Sequence, residues 1–154
     1  AGGLGSGLKV GDVVIGTQTA HHDVDVTAFG YAIGHVPRMP ARFESDPALC
    51  AAAEKAAAAF EHAAVHHGLI VSGDQFVHSS ESVAEVRRHF PDAQAVEMEA
   101  AAIAQSCHRF GVPFVVVRAI SDLADEEADT SFETFLKTAS VHSAKMVLQL
   151  IEVL

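Results

Sequence analysis

Two runs, LIVSGD (69–74) and PFVVVRAISD (113–122), are apolar at consecutive positions rather than alternate ones. A strand of that kind needs cover on both faces, so helices must flank any sheet it joins. Helical patterns stand between the extended runs. DPALCAAAEKAAAAFEHAAVHHG (46–68) has an Asp cap, Pro in its first turn and a Gly stop, and predicts one helix. Ser82 with Glu85 forms a capping-box pattern opening SVAEVRRHF (82–90), which Pro91 ends. EAAAIAQSCHRFG (99–111) reads as a helix closed by Gly111, and 132–154 as a long amphipathic one. LKVGDVVIG (8–16) and AQAVEM (93–98) complete the strands, while 23–43, with Gly30, Gly34, Pro37 and Pro40, reads as an irregular excursion. The alternation predicts one α/β domain with a mainly parallel, doubly covered sheet.

In such sheets ligands gather at the carboxyl ends of strands. Three runs end in polar residues there: Asp74 followed by Phe76, Glu97-Met98-Glu99, and Ser121-Asp122. One acid at a helix start needs no ligand, because the helix dipole already favours it. A pair of carboxylates beside apolar chain is different, since an unpaired buried charge is costly. Alternation puts Glu97 and Glu99 on one face and Met98 on the other, provided the strand runs that far. A carboxylate suits two neighbouring hydroxyls, as on ribose. Asp122 is a candidate general acid, whereas Asp125, Glu126, Glu127 and Asp129 read as a solvated loop. Phe76 fits either a core position or a stacking surface for a flat base.

Several classes lack support. Ten Lys plus Arg against twenty Asp plus Glu disfavour binding to nucleic acid or anionic membrane, which requires clustered cations. Arg87-Arg88 reads as a solvated helix face. No apolar run reaches the ~20 residues of a membrane span, and no signal-peptide pattern is present. The pairs His21-His22 and His66-His67 do not suit helical zinc spacing, and no metal is expected. Neither a serine-hydrolase elbow nor a Walker loop occurs. AGGLGSG (1–7) precedes a strand and is a weak dinucleotide fingerprint. Cys50 and Cys107, far apart in Ala-rich helical contexts, read as buried thiols in a reducing cytoplasm.

The stretch AVEMEAAAIAQSCHRFGVPFVVVRAISDLAD (95–125) strongly resembles the carboxyl-terminal signature of the 5′-methylthioadenosine/S-adenosylhomocysteine nucleosidases, members of the nucleoside phosphorylase superfamily. LKVGDVVIG, HHDVDVTAFGY and GLIVSGDQFV match the same family in the same order, so the likeness spans essentially the whole chain. It implies a three-layer α/β/α fold with a twisted mixed sheet, nucleoside phosphorylase-like. The implied reaction is hydrolysis of the N-glycosidic bond of methylthioadenosine or adenosylhomocysteine, without a cofactor, in a cytoplasmic homodimer.

The same resemblance implies roles residue by residue. Asp122 matches the acid that protonates adenine N7, and Glu99 the carboxylate that accepts both ribose hydroxyls. Met98 matches the side chain beneath the sugar, Phe76 the ring stacked on adenine, and Val77 the backbone partner of the base. Arg118 and Ser121 would support the loop around the acid, with Glu97 near the reacting side of the sugar. Ala1 and Gly2 match a sugar-site loop. An apolar pocket for the 5′-alkylthio group would take one wall from Phe132. Val26, Phe29, Tyr31 and Pro37 match a segment lent across a dimer interface.

Family members carry further strands ahead of Ala1, including the glutamate that activates water and a serine just upstream. Residues 1–154 therefore read as a single domain, the carboxyl-terminal two thirds of the family's domain. The glycine-rich opening without Met also fits a processed terminus or a linker. Competing readings are a futalosine hydrolase, a purine nucleoside phosphorylase, or a non-catalytic nucleoside-binding fragment.

Overall fold

Strand β2 (Val13–His21) is the hub of the sheet in the computed structural model, which describes residues 1–57, 63–125 and 127–154 (Thr130 by its backbone alone). It pairs in parallel with β4 (Val65–Ser72), and β4 in parallel with β5 (Ala93–Glu97). The other edge of β2 is shared by two antiparallel partners. β6 (Val116–Ala119) runs beside Val13–Gly16, and β3 (Phe43–Glu44) beside Gln18–Thr19. The exchange falls at a register shift between Gly16 and Gln18, where an irregularity bends the strand and increases its twist. A two-residue β1 (Gly2–Gly3) lies antiparallel on β5.

The sheet is therefore mixed and curled, as the resemblance implied, and not mainly parallel. Consecutive apolar residues report burial on both faces but say nothing about direction. β1 completes the curl. While paired with β5, it also meets the chain leaving β6: Ser121 N donates to Ala1 O at 3.0 Å, and Gly3 N to Asp122 O at 2.8 Å.

Helices cover both faces. Val13 and Ile15 pack on Ala53, Ala56 and Ala57 of α1 (Pro47–Ala57) and on Met146 of α4 (Ala128–Val153). Val14, Ile70 and Ala95 form a second cluster with Ala100, the first residue of α3 (Ala100–Phe110). Leu69 and Val71 pack with Val86 of α2 (Ser80–His89) and with Phe90. Among the described residues, no helix is long and apolar enough to cross a membrane.

Several boundaries differ from expectation. The first long strand starts at Val13 rather than Leu8, because the chain turns before it, with Asp12 accepting from Lys9 N at 2.9 Å. The helix expected over 46–68 keeps its start, but Val65 to Gly68 belong to β4; residues 58–62 lie outside the described set. Pairing with Val13–Gly16 of β2 recruits that stretch, and an Ala- and His-rich sequence does not resist it. The capping box is formed by Ser79 and Ser82, each hydroxyl accepting the other's amide at 3.2 Å. Glu85 instead pairs with Arg88 at 2.5 Å. Cys50 and Cys107 are half-buried and not disulfide-bonded.

Asp46 caps α1 as expected, its Oδ1 accepting Leu49 N at 2.9 Å. Asp46→Ala should destabilise the fold by ~1 kcal/mol, because a helix-end amide loses its acceptor. That corresponds to a melting temperature lower by about 2–4 °C for a chain of this size. An unchanged melting temperature would show that the cap contributes nothing.

Candidate active site

The curl brings the carboxyl end of β5 and the chain leaving β6 to one cavity of about 570 Å³, a size typical of small-molecule sites. Strand β4 delivers Phe76 and Val77, β5 delivers Glu97, Met98 and Glu99, and β6 delivers Arg118, Ser121 and Asp122. Gly2 comes from β1, Ala1 from the residue before it and Phe132 from the first turns of α4. Gly2 is where absence of a side chain matters: a Cβ would stand 3.0 Å from Asp122 Oδ1 and 3.0 Å from Ala124 Cβ. Gln75, Val96, Asp129 and Glu133 also line the cavity, and the sequence reading did not select them. Asp129 and Glu133 had a signal, since they stand one helical turn before and one residue after Phe132.

Strand β5 ends at Glu97, so alternation does not extend to Met98, and Met98 lines the same cavity as both glutamates. The two acids do different work. Glu97, with its side chain 6% exposed, caps α3: Ala100 N donates to its two oxygens at 3.0 and 2.9 Å, and Glu99 N to Oε2 at 3.3 Å. It also accepts from Ser72 Oγ and from Arg118. Glu99 occupies the cap position without capping and has its side chain 63% exposed, 3.4 Å from Arg118. One carboxylate is thus committed to the fold and the other is available to a ligand. Arg118 Nε is buried and has no hydrogen-bond partner among the described residues.

Asp122 is 2% exposed. Its Oδ2 accepts from Ser121 Oγ at 2.9 Å and its Oδ1 from Ala124 N at 2.9 Å. Two donors hold the carboxyl at the cavity wall, a geometry suited to proton transfer; of the acids that follow, Asp129 also lines the cavity, whereas Asp125 and Glu127 do not. Phe76 is 41% exposed, which decides against a core role. Its ring meets Phe132 edge-on at 5.9 Å between centroids and stacks on His78 at 6.0 Å, so neighbours brace it and leave a flat apolar surface. The Val77 side chain is buried.

Val26, Phe29, Tyr31 and Pro37 do not line the cavity of this single chain. They sit on the 23–43 excursion, where Thr27–Phe29 forms a 3₁₀ turn and Phe29 is 81% exposed. The adjacent histidines serve separate contacts: His21 Nε2 lies 2.9 Å from Gln105 and His66 Nε2 3.1 Å from Asp12. His22 is buried behind Gly73, and burial pushes its imidazole below the usual histidine range. Among the described residues, no three His, Cys, Asp or Glu side chains are grouped to hold a metal.

Helices on both faces of a mixed, curled sheet, with a cavity of this kind at its carboxyl edge, agree with the sequence profile of the phosphorylase superfamily, which matches residues 1–152. The chain belongs to that superfamily. Within it, the likeness to 5′-methylthioadenosine/S-adenosylhomocysteine nucleosidases runs over nearly the whole chain. The enzyme of that name from Actinobacillus succinogenes is 59% identical over 148 residues, which cover 96% of this chain and 64% of that one. The one from Exiguobacterium sp. is 56% identical with the same coverage. The solved nucleosidase of Neisseria meningitidis, in complex with methylthio-immucillin-A, is 69% identical with a TM-score of 0.96, over 99% of this chain and 66% of that one. The nucleosidase of Colwellia psychrerythraea, solved with adenine, is 45% identical with a TM-score of 0.94, over 99% and 64%. The chain spans just under two thirds of these relatives' length.

Proposed function

We propose that this chain carries the base- and ribose-binding part of a hydrolase that cleaves the N-glycosidic bond of 5′-methylthioadenosine and S-adenosylhomocysteine. One observation carries the reading: a single cavity holds a buried acid held by two donors, an exposed carboxylate and a braced aromatic face. Phe76 stacks on the adenine and the Val77 backbone bonds its edge. Glu99 accepts both ribose hydroxyls, with Met98 beneath the sugar and the Ala1–Gly2 backbone beside it. As the bond from the anomeric carbon to N9 breaks, its electron pair moves onto the base, and Asp122 gives its proton to N7. The base leaves neutral. Water adds to the anomeric carbon and releases a proton to solvent, from which Asp122 is reprotonated, yielding adenine and the thioribose. Glu97 and Glu99 favour the positive charge that develops on the sugar.

Phe132 forms a wall of the 5′-alkylthio pocket. In this reading the 154 residues act as one domain, and Val26, Phe29, Tyr31 and Pro37 reach the pocket of a second copy in a cytoplasmic homodimer. The test is adenine release from methylthioadenosine, with and without phosphate. Release at the same rate in both is expected. Release that requires phosphate would move the protein to the phosphorylases, and binding of adenine analogues without release would make the chain a nucleoside binder.

A further inference from the structure

Among the described residues, Glu97 has its acceptor positions filled. Oε1 takes the Ser72 hydroxyl and the Ala100 amide, and Oε2 takes the Ala100 and Glu99 amides and the Arg118 guanidinium. Four donors meet the roughly four lone-pair sites of a carboxylate. Glu97 therefore has no oxygen to offer a sugar without losing an internal bond. Its visible effect on the cavity is to hold Arg118, which in turn reaches the exposed Glu99 at 3.4 Å.

Behind Glu97 stands Ser72, the last residue of β4 and 3% exposed. Its Oγ accepts Ala101 N at 2.8 Å, so its single proton is directed to Glu97. Sequential bonds of this kind polarise one another and fix direction. The order is helix amide, serine hydroxyl, buried carboxylate, guanidinium, exposed carboxylate.

We propose that Ser72 is a positioning residue for ribose recognition: through Glu97 and Arg118 it sets the place of Glu99. Without the hydroxyl, Oε1 of Glu97 keeps only the shared Ala100 amide. Left with the Ala100 and Glu99 amides and Arg118, the carboxylate can shift on that side, and Arg118 with it. Phe76 and Val77 follow Ser72 on the chain leaving β4 but take no part in this series of bonds, so contacts to the base should be kept. The inference rests on the nucleoside-binding reading above.

The experiment is calorimetric titration with two probes, adenine and a non-hydrolysable methylthioadenosine analogue, on wild type, Ser72→Ala and Ser72→Thr. Ser72→Ala should weaken the analogue about tenfold, the scale of a lost bond to a charged group, and leave adenine within about twofold. Ser72→Thr restores the hydroxyl and should recover analogue affinity. A merely structural serine would lower affinity for both probes together or for neither, and either result would overturn the proposal. So would a folded Ser72→Thr protein as weak as Ser72→Ala. If Ser72→Ala fails to melt cooperatively, Ser72→Cys, a weak donor of similar size, takes its place under the same criteria. Wild type binding neither probe would sink the nucleoside reading itself, and this inference with it.

Discussion

Asp122→Asn should leave the protein folded and able to bind adenine, and lower adenine release from methylthioadenosine by about a thousandfold, within the range for loss of a positioned general acid. Asparagine has the size and shape of aspartate. It can still accept from Ala124 N through its carbonyl oxygen and meet Ser121 Oγ with its amide, so the local bonds are replaced rather than removed. What it lacks is a proton that can pass to N7. Adenine would then have to leave as an anion, and the barrier rises accordingly. The readout is the rate of adenine release alongside calorimetric affinity for adenine. A variant within about tenfold of wild type would remove Asp122 from the acid role, whatever its place in the cavity.

Gly34→Ala should cost stability on a scale larger than most single substitutions, about 3 kcal/mol. Gly34 is buried within the 23–43 excursion at φ 84°, where an alanine is strained by its own Cβ. That Cβ would also stand 2.1 Å from the carbonyl oxygen of His21 and 2.7 Å from Phe90 Cζ. The carbonyl belongs to the last residue of β2 and cannot swing aside as a flexible side chain can. The excursion must move instead, giving up the bond from Gly34 N to Val24 O at 2.7 Å and the packing of Ile33 on the core. Thermal melting should fall by about 6–12 °C. A change under about 2 °C would mean that the excursion does not sit against β2 as described.

The helix starts and stops that rest on local chemistry were legible. Asp46 before Pro47, Gly111 after α3 and Pro91 after α2 act within a few residues of themselves. The misreadings turn on which of several partners wins, near in the chain or far. HAAVHHG (62–68) carries no strong preference, and β2 decides that Val65 onward is strand. Ser82 is a cap residue, but its partner is Ser79, which offers a hydroxyl in the right geometry where Glu85 turns to Arg88. Glu97 and Glu99 were both visible as unusual carboxylates. The pattern did not tell them apart: Glu97 takes the amides at the start of α3, and Ser72 and Arg118, from two other strands, complete its burial.

The sequence by itself determined which segments are apolar enough to be buried, where most helices begin and end, and that carboxylates stand at strand ends beside a candidate stacking ring. Through the likeness of its signature stretch it also pointed to the family. The tertiary structure alone decided strand direction, the bulge of β2 and the curl that lets β1 touch both β5 and the chain after β6. That curl sets Asp122 and Glu99 around one cavity and divides the two glutamates into a buried anchor and an exposed acceptor. The physical reason is that capping and periodicity act over a few residues, whereas register and curvature are set by hydrogen bonds between strands far apart in the chain.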